Sequence, residues 1–240
     1  SIACSYARRL QMKKIGLIGG LSYLSSIDYY KIINQKIQKV MGGHHSGTII
    51  LYSLDFEPMT NAMFNNDWVF IKKSLVEAVN ELKAMGCQLI AICCNSVHKV
   101  FYDVEKECQF KLFHIVEPTI HRIYKMGLKK TGLLGTKFTM SDDLYKAYAL
   151  QYGIDFLIPE TNLHEKINEI IFSEICFDRI TKDSKKFLID VSNALIQRGA
   201  QGIVLACTEL PGVIRYNDIN TILFPTTKLH AEAIAISMIS

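Results

Sequence analysis

The chain has 240 residues, 49% of them hydrophobic, and a mean hydropathy of +0.15. That is enough for a well-buried core in one large domain or two small ones, and it excludes disorder, fibres and a small disulfide scaffold. Of its 27 lysines and arginines, Arg8, Arg9, Lys13 and Lys14 fall in an acid-free opening stretch, leaving 23 basic against 23 acidic side chains beyond it. Without a dense cationic face, nucleic acid is not an expected partner.

The opening SIACSYARRLQ lacks the continuous apolar run of a secretory signal and reads as a leader or cloning remnant over residues 1–11, contributing nothing to the fold. Residues 15–19 then form a buried first strand. Apolar spacing at Ile27, Tyr30, Ile33 and Ile37 predicts a helix over 21–40. Residues 48–55 are β-rich, 68–85 helical, 88–94 a continuous apolar strand and 96–107 helical again. The alternation resumes with strands at 131–135, 155–158 and 202–207 and helices at 142–152, 162–175 and 184–198. A last strand at 222–224 precedes a closing helix at 228–239. Alternating strands and helices of this kind define an α/β fold with mainly parallel sheets.

Seven cysteines, two of them adjacent, are an odd count in a chain too large to need stapling, so free thiols in a reducing cytosol are expected. The longest apolar runs are strand-length, far below the roughly 18 residues of a membrane span.

The sequence also repeats itself. KKIGLIGG at 13–20 recurs as KKTGLLGT at 129–136, an offset of 116, and GCQLIAICCN at 86–95 recurs as GAQGIVLACT at 199–208, an offset of 113. Two collinear matches indicate two similar α/β halves. Each half then carries a cysteine at the carboxyl end of an apolar strand, Cys94-Asn95-Ser96 and Cys207-Thr208-Glu209. Open α/β sheets bind ligands at strand carboxyl ends. A following helix start offers N–H groups and a positive dipole end, which lower a thiol pKa. Cys4, Cys87, Cys108 and Cys176 read as buried packing residues, and Cys93, out of phase with Cys94, packs beneath the site.

Other chemistries fit less well. Cys93, Cys94 and His98, or the adjacent His44 and His45, lack the second knuckle that structural zinc requires, so no metal is expected. His98, four residues after Cys94, either orients a substrate carboxylate or caps local polar groups. The glycines at 16, 19 and 20 are spaced G-x-x-G-G rather than G-x-G-x-x-G, and residues 34–40 hold no acid for a ribose. A tight turn that lets a small carboxylate approach the backbone suits them better.

Several ordered motifs, GLIGGLS at 16–22, GGHHS at 42–46, LYSLDF at 51–56, CNSVHKV at 94–100, GLLGTKFTM at 132–140, GAQGIVLACTEL at 199–210 and TTKLHA at 226–231, make the chain similar to the aspartate/glutamate racemase family. The resemblance implies two α/β domains related by pseudo-two-fold symmetry, roughly 12–116 plus 226–240 and 117–225, with the active site in the cleft between them. It implies Cys94 and Cys207 as acid/base thiols. Asn95, Ser96, Thr136, Thr208 and Glu209 would line the substrate site, and Leu21, Ser22, Ser53 and Gly135 fall in the same motifs. There are departures: Ser96 stands where the family has threonine, Pro225 where it has aspartate, and Phe56-Glu57-Pro58-Met59 where archaeal-type aspartate racemases carry an arginine. Cys176 falls near the position of their lysine.

Racemisation removes the α-hydrogen on one face and returns a proton on the other, so it needs one deprotonated and one protonated group flanking Cα. Two cysteines satisfy this without a cofactor, given preorganised donors for the carboxylate. The expected protein is a cytoplasmic, cofactor-independent racemase, a homodimer, acting on aspartate or glutamate. A hydantoin racemase or maleate isomerase would keep both cysteines, and a non-catalytic small-ligand or redox-sensing protein could also own paired thiols.

Overall fold

Five consecutive buried residues, Ile15–Gly19, form the first strand β1, which pairs in parallel with β2 (Ile49–Ser53) on one side and β3 (Leu89–Ile92) on the other. This computed structural model describes residues 12–240, so the expectation for residues 1–11 lies outside the described residues. The chain divides into two compact units. The described residues up to Cys93, with Val100–His114 and His230–Ser240, make the first, and Cys94–Lys99 with Ile115–Leu229 make the second. The expected boundaries fall at Val116 and Thr226; the structure groups Cys94, Asn95 and Ser96 with the unit that holds Cys207.

In the first unit, helices α1 (Tyr23–Met41), α2 (Phe56–Phe64), α3 (Trp68–Ala84) and α4 (Phe101–Cys108) surround the sheet of order β2-β1-β3. Tyr29, Ile33 and Ile37 of α1 bury against Ile15, Leu17, Ala91 and Cys93. Ile27 and Tyr30, expected on that face, are more than half exposed. Adjacent tyrosines at 29 and 30 make the two candidate stripes nearly equal in sequence, and packing on β1 selects the one through Tyr29.

The second unit contains α5 (Val116–Lys125), β4 (Lys130–Gly135), α6 (Lys137–Met140), α7 (Leu144–Leu150), β5 (Asp155–Leu157), α8 (Thr161–Ser173), α9 (Lys182–Gln197), β6 (Gly202–Ala206), α10 (Leu210–Val213) and β7 (Ile222–Pro225). Its sheet is wholly parallel, in the order β5-β4-β6-β7. Apolar residues on both faces explain the unbroken hydrophobic runs. Leu134, Ile203, Leu205 and Cys207 point to a core shared with α8 and α9, while Leu133, Val204 and Ala206 point to one shared with α5 and α7. Helix α11 (Thr226–Ile239) closes the chain.

The internal repeat has a structural counterpart inside each unit. In both, the first strand of the half is flanked by the second and third. The Lys14 N–H donates to the Gln88 side chain at 3.0 Å, and the Lys129 and Lys130 N–H groups donate to that of Gln201 at 2.8 and 3.0 Å. Gly16 leaves room for Leu82, and Gly132 for Leu195, since a Cβ at either glycine would come within 3.1 Å of that leucine. Phe113 bridges to Ala91 where the second unit pairs Phe224 with Val204.

Of the described helices that stand outside the sequence pattern, two are longer than a single turn, α2 and α5. Each carries a proline at its third residue, Pro58 and Pro118, which reads as a helix breaker but is tolerated in a first turn, where the N–H has no intrahelical partner.

Candidate active site

The two repeat-related thiols lie at the ends of β3 and β6, where the burial of both faces gives way to polar residues. Cys94 follows β3 by two residues and Cys207 follows β6 directly, and both remain buried, at 7% and 6% exposure. Cys93 is wholly buried in the first unit's core.

The surroundings of the two sulfurs differ. The Cys94 sulfur faces the Val97 and Ser96 N–H groups and the Ser96 hydroxyl, all of which favour a thiolate. Burial works against them and prevails, with help from the Glu209 carboxylate, so the thiol is pushed up to about 11. The Cys207 thiol donates to Glu209 Oε2 at 3.2 Å, and Thr208 Oγ1 donates to the same oxygen at 2.9 Å. Burial, the Glu209 charge and that hydrogen bond to its protonated form hold Cys207 well above the ordinary thiol range. The sequence reading expected a helix start to lower a thiol pKa. In the structure both thiols are raised, because desolvation outweighs the amides, and a 3-10 turn, Ser96–Val100, stands where the helix after Cys94 is expected to begin.

The polar residues after each thiol are braced. Asn95 Nδ2 donates to Thr226 Oγ1 at 3.0 Å and its Oδ1 accepts from the Tyr145 hydroxyl at 2.5 Å, while Thr226 Oγ1 donates to the Leu205 carbonyl at 3.0 Å. Ser96 Oγ and Thr136 Oγ1 lie 2.7 Å apart, and Thr136 caps α6 by accepting from the Thr139 N–H. Thr227 Oγ1 donates to the Thr208 carbonyl at 3.1 Å. Gly135 ends β4, where a Cβ would meet the Ala206 carbonyl oxygen at 2.7 Å. Asn95, Ser96, Gly135, Thr136, Cys207, Thr208 and Glu209 are thus gathered in the second unit with Cys94.

Leu21, Ser22 and Ser53 belong to the first unit. Ser22 precedes α1 and its carbonyl accepts from the Ser25 and Ser26 hydroxyls, while the Ser26 oxygen accepts from the Gly20 N–H at 2.8 Å. Leu21 is buried and Ser53 is exposed at the end of β2. His44 and His45 line an open pocket with Met41, Gly42 and Gly43. Among the described residues, no cluster of three or more side chains suited to a metal comes together.

His98 serves the backbone. Its Nε2 accepts from the Ile115 N–H at 3.3 Å, so its proton sits on Nδ1, which donates to the Cys94 carbonyl at 2.7 Å. Burial holds its pKa down at about 4, against the opposing pull of the Cys94 carbonyl. A basic group depressed on folding stabilises the fold above its unfolded pKa of about 6.5 and loses that contribution as pH falls toward the folded value. Unfolding free energy is therefore expected to drop by roughly 3 kcal/mol between pH 6.5 and 4 through this residue. His98→Leu should be less stable at pH 7 and show a flatter profile over that range in urea titrations; an unchanged slope would refute the assignment.

Cys176, expected as a buried packing residue and placed near the family's lysine only by the resemblance, is partly exposed. It lies in a 3-10 turn, Ile175–Phe177, packs against the cluster containing Cys207, and is acted on by the charges of Glu209 and Cys94. Neither periodicity nor the repeat marks it.

A profile of the Asp/Glu/Hydantoin racemase family matches residues 18–234. A Yersinia pestis structure assigned to the Asp/Glu racemases is 37% identical, covers 95% of this chain and 100% of its own, and superposes with a TM-score of 0.86. The structure of an aspartate racemase homologue from Pyrococcus horikoshii is 31% identical over 95% of this chain and 99% of its own, with a TM-score of 0.76. A broad specificity amino-acid racemase of Bacillus subtilis is 23% identical over 203 residues, 83% of this chain and 87% of that protein. The chain belongs to the Asp/Glu/hydantoin racemase family.

Proposed function

We propose that the protein is a cofactor-independent amino acid racemase in which Cys94 and Cys207 are the two acid/base groups. The observation that carries this reading is their opposed hydrogen bonding: Cys94 is surrounded by donors, and Cys207 donates to a carboxylate. A two-base reaction needs one group ready to lose a proton and one holding it. In the forward step the Cys94 thiolate takes the α-proton, the C–H electron pair passes into the carboxylate-stabilised carbanion, and the Cys207 S–H returns a proton from the other face. The reverse step exchanges the roles. Because both thiols are raised in the free protein, ionising one costs energy, and the substrate's own ammonium supplies the compensating positive charge. Donors for the α-carboxylate are the N–H groups and hydroxyls around Ser96, Thr136 and Thr208.

Aspartate and glutamate belong in the substrate panel because the family and the related structures carry those names. The Bacillus subtilis relative adds a wider amino acid range. Dialysed protein, without added pyridoxal phosphate or metal, is expected to interconvert the enantiomers of at least one amino acid in a panel followed by NMR in D₂O, with deuterium entering at Cα. No exchange for any member would sink the racemase reading, and hydantoin or maleate turnover in its place would move the chain to the neighbouring activities.

A further inference from the structure

Cys176 has no partner in the repeat and stands 82 residues after Cys94 and 31 before Cys207, yet the fold brings it to them. Its turn is built to stay in place. The Thr181 N–H and the Ser184 hydroxyl donate to the Glu174 carboxylate at 2.7 and 2.5 Å, so the residue that opens the turn also secures the start of α9. The Arg179 N–H donates to the Glu174 carbonyl at 3.2 Å, and Asp178 closes the turn at φ 54°. On this support the Cys176 side chain packs against the apolar cluster of the second unit, whose members include Ile175, Cys207, Leu210 and Val213.

The charge at this place is negative. Burial raises Cys94, Cys176 and Cys207, and the Glu209 carboxylate, which accepts from the Cys207 thiol, adds to the rise in all three. Several cations of the second unit are engaged with other groups: Lys137 with Glu165 at 3.0 Å, Lys185 with Asp218 at 3.0 Å, Lys146 with Asp143 at 3.4 Å, and the Arg198 guanidinium with the Ile158 carbonyl at 2.8 Å.

An amino acid brings one ammonium, which Glu209 can answer, and one α-carboxylate, which N–H groups and hydroxyls can answer. An acidic side chain would add a second carboxylate beside Glu209 against an apolar wall, and a lysine side chain would bury a charge in that wall. We propose that Cys176 forms the side-chain wall of the amino acid site, and that this wall, with Glu209 taking the α-ammonium, selects an uncharged side chain over an acidic one. This rests on the two-thiol racemase reading.

The test is kcat/KM for alanine, 2-aminobutyrate, methionine, leucine, aspartate, glutamate and lysine, measured by α-deuterium exchange and chiral chromatography. The best uncharged substrate is expected to exceed aspartate and glutamate by at least about tenfold, within the range that one pocket contact discriminates. Cys176→Lys, which sets a cation on the wall, should shift that ratio toward the acidic substrates by at least about tenfold, chiefly through KM. Cys176→Ala should keep the bias against acidic side chains while changing the preferred chain length. Aspartate or glutamate as the best wild-type substrate overturns the proposal while leaving the racemase reading intact. So does a substrate profile unchanged in both variants, or in Cys176→Ala alone if Cys176→Lys does not fold. Absence of exchange with every amino acid overturns both.

Discussion

Cys94→Ser and Cys207→Ser are each expected to lower racemisation by about a thousandfold or more, in the upper part of the range for loss of an acid/base group. Serine nearly preserves the volume, so the loss is one of acidity: the Ser96 and Val97 donors that ease a proton off Cys94 cannot ionise an alcohol near neutral pH. Each variant keeps one thiol, which can still remove a proton from its own side and return deuterium there. Exchange with retention should therefore survive for one enantiomer in Cys94→Ser and for the opposite one in Cys207→Ser. Cys93→Ser, in the first unit's core, should instead lower stability with little effect on turnover. Racemisation at the parent rate in either active-site variant would show that the repeat-related thiols are the wrong pair.

Gly20→Ala carries the largest expected cost to the fold. Gly20 has φ +82°, and a Cβ there would lie 2.1 Å from the Leu54 carbonyl oxygen and 2.8 Å from its nitrogen, against backbone that cannot rotate away as a side chain can. The neighbouring Leu54 N–H donates to the Gly19 carbonyl at 3.0 Å, so the segments after β1 and β2 are already joined at this point. Left-handed strain adds to the collision, and a loss of at least about 3 kcal/mol is expected, or a melting temperature roughly 10 °C lower. Calorimetry measures it; a loss below about 1 kcal/mol would mean that the turn can open. Gly42→Ala, with a similar φ but nothing within 4 Å, provides the control for strain alone.

These two sites differ in how openly the sequence displays them. The alternation of strand and helix, the parallel sheets and the exact span of β1 follow from runs of buried residues whose periods are unambiguous. The helices with prolines in their first turns are hidden, because a proline at that depth looks the same in a sequence as one that ends a helix. The thiol pair is legible through duplication: two copies of a local pattern mark what either copy alone would not. The raised thiols and Cys176 are not legible. Desolvation depends on what lies above a residue in space, and Cys176 reaches Glu209 through a turn with no periodicity, secured by a glutamate that could as well have faced solvent.

The repeat aligns Ser96 with Glu209, each two residues past its thiol, so a hydroxyl that points at one sulfur stands where a carboxylate accepts from the other. On the proposed activity the substrate and product are mirror images of equal free energy, and the Haldane relation then requires kcat/KM to be the same in both directions. The inequality between the two strand ends can therefore never favour one enantiomer at equilibrium. It can only trade turnover against saturation, making one hand bind more tightly and react more slowly in the same proportion. Exchanging the residues at 96 and 209 should redistribute that trade while the ratio of the two specificity constants stays at unity.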